Sequence, residues 1–538
     1  MRPAPDRTAA VDDALAVELP PFADPLVRTA DPAHDTPFAV TGLRARVTGG
    51  AGRGIDIIEL GPLRALTKLR YRDAAAVEAT LTPLGLEREL RVGGRRVLER
   101  TFVPHEMPAA IVEWRAPDGA ELHVSWRTDA PGPDGEAAFV FSEAPAEYTV
   151  TDARGAARRH DARLRIGPGG SIRLGILGTV GDAPLETTRR ALRPDDLVYA
   201  RAAAVRRLRR ERLGVESPDP ALNAAVAWGA VRIGPRTLGT ASAALAVGDF
   251  AAAREVIRRL GERQLGSGEI PPEPRAPGDE APPGAGETTA DYLDLVVRYL
   301  AWTGDIAGTR TEWDRVRRAI AFCTEPADTG RAGSGSADAT GCSDRTGTGP
   351  DHHGLDLRGL AVAAESIGDA DLASRLRDLA DRHRRQRTAA APPAASPPPD
   401  PIVSFVHDVL GVEPDAPKHR LRLRPRLPDA WDRLAIRRIR MADTEIALDY
   451  RRDGDRHTFR VEQESGAVPV QVVLEPLLVA RRVVKATVDG QAAELEPRPA
   501  DGRILVPVQL VLDHERELVI DVAHDLDPGP TGLRVLRI

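Results

Sequence analysis

The sequence predicts a multidomain protein of β and α parts: an N-terminal β-sandwich, a central domain of antiparallel α-hairpins and a C-terminal β-sandwich. Three observations carry that prediction. In the middle of the chain an apolar helical pattern stops at Gly248-Asp249, Gly304-Asp305 and Gly368-Asp369, and each time another helical pattern starts at once. Gly accepts the left-handed backbone that follows a helix, and Asp accepts hydrogen bonds from the free N–H groups opening the next one. A joint this short folds two helices antiparallel. Before and after the block, short alternating stretches are separated by Gly, Pro and Asp turns, the pattern of β-sheet domains.

Taken in order, residues 1–36 are rich in Pro, Ala and Asp and read as a flexible arm. Residues 37–185 read as the first β-sandwich. Within them Gly93-Gly94 separates two short strands as a hairpin turn, and Leu122-His123-Val124-Ser125-Trp126 alternates cleanly. Residues 186–215 read as an Arg-rich linker helix with a solvated charged face. The α-hairpin domain spans 216–387 and opens with Ser217-Pro218-Asp219-Pro220, a cap residue followed by proline. Helices are expected near 220–232, 238–247, 250–264, 289–303, 311–323, 355–367 and 370–387. In the fourth, Tyr292, Leu295, Val296, Tyr299 and Leu300 share one apolar face. The Gly/Ser/Thr/Asp run at 325–349 reads as a disordered loop, and 388–400 as a Pro/Ala linker. A helix at 401–411 is expected to join the α domain. Residues 412–538 read as the C-terminal β domain, with Pro469 confining its strand to a sheet edge.

Composition narrows the function classes. The net charge is −6, so no basic surface invites nucleic acid. No run of about 18 apolar residues is present and the N-terminus lacks an apolar signal segment, so a cytoplasmic protein that neither spans nor binds a membrane is expected. Cys323 and Cys342 are expected to be free thiols in a reducing compartment. His352 and His353 are adjacent, cannot share one helix face and have no evident third partner, so no metal is expected, and no cofactor.

Several stretches resemble the bacterial glycogen-debranching (amylo-α-1,6-glucosidase-like) branch of the six-hairpin glycosidases. They are Asp219-Pro220-Ala221-Leu222-Asn223 with Trp228, Leu245-Ala246-Val247-Gly248-Asp249-Phe250, and Gln264 followed by Gly268-Glu269-Ile270-Pro271-Pro272-Glu273. Ala290-Asp291-Tyr292 through Trp302-Thr303-Gly304-Asp305, and Gly411-Val412-Glu413-Pro414-Asp415 with Arg420–Pro425, continue the likeness in the same order. The resemblance implies an (α/α)6-toroid-like helical domain, here incomplete, because three Gly-Asp hairpins stand where the family has six. Arg236 keeps its place in the family's Gly-Arg-Asp motif, but the Asp is absent, and Pro272 stands where the family usually has His.

Glycoside hydrolysis needs one carboxyl to protonate the leaving oxygen and another to activate water, roughly 6.5–9.5 Å apart in inverting enzymes. The resemblance implies an inverting enzyme acting on α-glucan, a polysaccharide or oligosaccharide partner. It places Glu273 and Asp291 along the sugar cleft. The catalytic candidates are Asp291, Glu287 and Glu273; the substrate-binding candidates are Arg236, Glu269 and Tyr292. Asp351 and Asp356 are the nearest substitutes for a carboxylate from the late hairpins. Each has a plainer reading. Asp291 is a natural charge for a helix start, Glu269 and Glu273 suit a solvated loop, and Trp228, Trp302 and Trp313 suit a core. The alternative function is a catalytically inactive homologue serving as a glucan-binding or protein-interaction scaffold. A purely structural helical repeat bearing two β modules is the third. The oligomeric state is open.

Overall fold

The computed structural model describes residues 28–61, 63–129, 137–153, 157–178, 194–231, 238–271, 288–324, 356–386, 400–500 and 502–524. The expected disordered loop at 325–349, nearly all of the Pro/Ala linker and most of the arm lie outside them. The end of the arm is described, and it is ordered: Arg28–Ala30 pairs antiparallel with the strand Ala74–Leu81. The chain is a multidomain β and α protein. By compactness it divides into two units, Met1–Glu211 with Ala230–Pro235, and Arg212–Gly229 with Arg236–Ile538.

The first unit holds two seven-stranded antiparallel sheets. Alternation puts one side of each strand inward: Trp114 and Trp126, from different sheets, are 0% and 1% exposed. The Gly93-Gly94 turn has φ of +54° and +80°, the two left-handed residues that a tight hairpin of this twist requires. Between the sheets, Arg88 and Glu99 form a fully buried ion pair at 2.8 Å. Its remaining groups are satisfied. Tyr71 donates its hydroxyl proton to Glu99, Trp114 Nε1 donates to Tyr71 at 3.1 Å, and Arg88 donates to the Ala51 carbonyl at 3.2 Å.

Helix α1 (Pro194–Glu211) falls where the Arg-rich linker helix is expected, but one side of it is not solvated. Val198, Val205 and Leu208 are buried in one cluster with Phe102, Ile111 and Leu177 of the sheets. Arg201 is 3% exposed. It donates to the Pro83 carbonyl at 2.7 and 3.0 Å and to the Val103 carbonyl at 2.8 Å. With burial and no carboxylate beside it, its guanidinium is pushed down to about 10.

The second unit carries the hairpins. Its helices are α2 (Pro220–Ala230), α3 (Leu238–Ala246), α4 (Phe250–Glu262), α5 (Thr288–Thr303), α6 (Ile306–Thr324), α7 (Leu357–Ile367), α8 (Ala370–Gln386) and α9 (Pro401–Ser404). Ala230, the last residue of α2, is counted with the first unit. Helix α6 starts five residues earlier than periodicity predicts, because Asp305 caps it. Each Gly-Asp joint works as read. Gly248, Gly304 and Gly368 have φ of +83°, +63° and +96°. Asp249, Asp305 and Asp369 accept from the N–H of Ala252, Gly308 and Leu372 at 3.2, 2.8 and 3.3 Å. Each Asp also reaches a neighbouring element: Asp249 pairs with Arg212, Asp305 accepts from the Tyr299 hydroxyl, and Asp369 accepts from Trp313 Nε1.

Two of these joints rest on the C-terminal strands. A Cβ at Gly248 would lie 2.9 Å from Arg440 Cβ, and Arg440 donates to the Gly248 carbonyl and sits over the Phe250 ring. Ala442 N donates to the Trp302 carbonyl at 2.8 Å, beside Gly304. One hydrophobic core therefore runs from the helices into the sheets. The largest C-terminal sheet has seven strands and includes Gly214–Glu216, paired antiparallel with Arg433–Met441. Val470–Leu474 is not an edge strand. It pairs on one side with Arg420–Leu423 and on the other with Val508–Leu512. Pro469 precedes the strand, so its missing N–H costs the ladder nothing. Cys323 is disulfide-bonded, which corrects the expectation of a free thiol there. The chain's other cysteine, Cys342, lies outside the described residues.

Candidate functional site around helix α5

Helix α5 is closely enclosed: from 289 to 303 none of its residues is exposed. Tyr292, Leu293, Leu295, Val296, Tyr299, Leu300 and Trp302 are buried in the core. The less buried side carries Asp291, Asp294 and Arg298. At i, i+3 and i+7 these lie along one face. Arg298 Nε donates to Asp294 at 2.8 Å.

The loop before α5 is held by residues that sequence reasoning picked out for another reason. Gln264 donates to the Gly268 carbonyl at 3.0 Å and to the Arg315 carbonyl of α6 at 2.8 Å. Gly268 has φ of +93°, and a Cβ there would stand 2.2 Å from the Arg318 carbonyl oxygen, so only glycine fits. Ile270 N then donates to Thr289 Oγ1 at 2.9 Å. Glu269 and Asp291 are thereby each brought within two residues of the same bond. Glu269 is half-buried.

Asp291 has the most informative electrostatics. Burial pushes its carboxyl from 3.8 up to about 6, the charge of Asp294 adds to the effect, and Arg298 opposes it. The N-terminal dipole of α5 favours the charged form by about 0.3–1 kcal/mol. The net upward shift means that desolvation outweighs it. A carboxyl in this state gives up a proton near pH 6 rather than near pH 4.

A second element faces this stripe. After α9 the chain widens into a π-helical turn, Phe405–Val409. Such turns recur at functional sites because the extra residue re-aims a side chain. Here His407 lies edge-on to Trp302, with ring centres 6.4 Å apart. Burial holds its imidazole below the usual range, and the Arg298 guanidinium lowers it further while Asp294 opposes. Asp294 and Arg298 therefore lie close enough for their charges to act on His407. Sequence reasoning missed all three. The i+3, i+7 spacing after Asp291 was an available signal for the first two, whereas nothing in the sequence marks a π turn at His407.

The other predicted residues fall differently. Tyr292, expected to meet substrate, is 0% exposed. Its ring is part of the core, where no sugar face reaches it. Its hydroxyl has no partner among the described residues, and burial pushes it well above its ordinary value. Asp356 caps α7, accepting from Gly359 N at 2.8 Å. Trp302 and Trp313 are core residues, 2% and 6% exposed. Arg236, Glu273, Glu287, Asp351 and the pair His352-His353 lie outside the described residues. Among the described residues no group of three or more His, Cys, Asp and Glu could hold a metal ion, and no helix is long and apolar enough to cross a membrane.

No protein-family model and no curated protein sequence matches the chain. Among solved structures it is similar to a bacterial glucoamylase complexed with acarbose, at 11% identity and a TM-score of 0.41 over 64% of this chain. It is also similar to a putative kojibiose phosphorylase from human microbiome, at 8% identity and a TM-score of 0.43 over 90% of this chain. A third likeness is to a family GH92 inverting mannosidase from Bacteroides thetaiotaomicron, at 12% identity and a TM-score of 0.35 over 65% of this chain. The chain spans 66% of the glucoamylase, 92% of the phosphorylase and 62% of the mannosidase. At these scores the likeness carries no inference about activity.

Proposed function

We propose that this chain is a glycoside hydrolase of the glycogen-debranching kind, cleaving α-glucosidic linkages in an α-glucan by an inverting mechanism. Its helical block is read as an incomplete six-hairpin toroid. The observation that supports the reading is Asp291, whose carboxyl is raised to about 6 in the first turn of α5, beside Asp294 and Arg298. A proton donor for a glycosidic oxygen must hold its proton near working pH, and burial is the usual means of making it do so. In the proposed reaction protonated Asp291 passes its proton to the leaving oxygen as the C–O bond breaks. A second carboxylate, Glu273 or Glu287, takes a proton from the water that attacks the anomeric carbon from the other face. Asp294 cannot take that part. It stands one turn from Asp291 on the same helix, and the base must face the acid across the bond.

A specific observation favours a second reading, the inactive scaffold. Helix α5 has no exposed residue from 289 to 303, and Tyr292 is in the core rather than on a cleft wall. One experiment separates the two. Limit dextrin is incubated with the full chain and with Asp291→Asn, release of glucose and maltooligosaccharide is measured, and co-sedimentation with glycogen is followed in parallel. Release by the wild type that falls at least 100-fold in the variant supports the hydrolase. No release with retained co-sedimentation selects the scaffold, and neither activity overturns both.

A further inference from the structure

A cavity lies in the C-terminal strands, and no residue of α5 lines it. It has a volume of about 90 Å³ and is lined by residues of the seven-stranded sheet, Tyr450, Arg452, His457 and Phe459, and of a three-stranded one, Leu478 and Arg503. That is room for several water molecules. It has room for a phosphate or carboxylate group.

Its polar groups are arranged for an acceptor. His457 is 5% exposed. Its Nδ1 is 3.0 Å from the Tyr450 hydroxyl, and the two rings are stacked. The Tyr450 hydroxyl has no other partner among the described residues, and it can donate its proton to Nδ1. With Tyr450 donating, the ring proton of neutral His457 sits on Nε2 and points to a ligand. Among the described residues no protein group bonds Nε2.

The charges agree. The Arg452 guanidinium is half-buried and has no carboxylate partner among the described residues. Burial pushes Tyr450 up to about 12 and His457 down to about 4, and the Arg452 charge acts downward on both, joined at His457 by His524 and opposed there by Asp455. Arg503 donates to the Leu427 carbonyl at 3.3 Å and to Asp429 at 3.1 Å, so its charge is met by one acid. His524 is paired with Asp455 at 3.2 Å. Among the described residues Asp429 is the only acidic one lining the cavity, and it is already engaged. A cation would be repelled by Arg452, and an uncharged ligand would leave that charge unmet.

We propose that this cavity binds a small oxyanion, a phosphate or carboxylate group, gripped by the Arg452 guanidinium and the Nε2–H of His457. The residues belong to neither the α5 stripe nor its chemistry, so the site stands or falls independently of the hydrolase reading.

The test is calorimetric titration of the full chain with inorganic phosphate and, separately, with acetate, each at ionic strength matched with sodium chloride. Saturable binding of at least one is expected, and the stronger of the two identifies the source of the anionic group. Arg452→Gln should weaken that binding at least 10-fold while leaving the thermal unfolding of the unliganded protein unchanged. His457→Gln, which keeps a donor, should weaken it less than His457→Phe. No saturable binding of either anion overturns the proposal. So does binding that Arg452→Gln leaves intact.

Discussion

Asp291→Asn should make the second unit more stable at neutral pH, not less. The argument rests on burial. The folded protein holds the Asp291 carboxyl at about 6, against 3.8 when unhindered. A carboxyl whose folded value is raised contributes stability fully below the unfolded value and loses it as pH rises through the folded one. The loss therefore runs from about pH 4 to a little above pH 6. A gap of this size corresponds to about 3 kcal/mol at most. Asp291 is only partly buried, and solvent screening leaves about 1–2 kcal/mol. Asn has the same shape and cannot ionise, so it avoids that cost. It also forgoes the favourable contact of a charge with the helix dipole, about 0.3–1 kcal/mol. The assay is calorimetric unfolding of the wild type and the variant at several pH values between 4 and 8. The variant's advantage should vanish towards pH 4 and reach its full size above pH 6. An advantage that is flat with pH, or a variant less stable than the wild type at pH 7.5, would refute the reasoning.

Other predictions concern the scaffold. Gly248→Ala and Gly368→Ala both force a side chain into the left-handed region, costing about 1–2 kcal/mol. Only the first also drives a Cβ to 2.9 Å from Arg440 Cβ, whereas the second meets nothing within 4 Å. Urea unfolding should show Gly248→Ala losing about 1–3 kcal/mol more than Gly368→Ala, and equal losses would contradict the docking of that joint on the C-terminal strands. Arg201→Ala should leave the Pro83 and Val103 carbonyls without their buried donor, at about 1–3 kcal/mol for each. Limited proteolysis should then cut α1 much faster than in the wild type. Trp313→Phe removes the hydrogen bond to Asp369 and should cost about 1 kcal/mol, read from the same urea curves.

The hairpin joints were legible because their chemistry is local. Gly in the left-handed region and Asp on the next N–H groups act within a few residues, so Gly248-Asp249, Gly304-Asp305 and Gly368-Asp369 could be read without knowing what surrounds them. The face of α5 could be read for the same reason, since the period of Tyr292, Val296 and Tyr299 marks what must be buried. Tyr292, expected as a substrate contact, lies on that same period, and the structure places its ring in the core. What stayed illegible depends on distant partners. Nothing near Arg201 in the chain shows that its guanidinium ends on Pro83 and Val103, more than ninety residues away. His407 owes its setting to a π turn and to Trp302, and His457 owes its hydrogen bond to Tyr450 on the neighbouring strand. Asp291 was visible as a carboxylate at a helix start. Its raised titration was not, because burial there is a property of the packed unit.

The central claim, that Asp291 is a proton donor in glycoside hydrolysis, is tested most directly by the pH dependence of kcat/KM on limit dextrin. Loss of the proton from Asp291 should end activity on the basic side, with a limb whose midpoint lies near pH 6. A rate that stays constant from pH 5 to pH 8, or no hydrolysis at any pH, would contradict it.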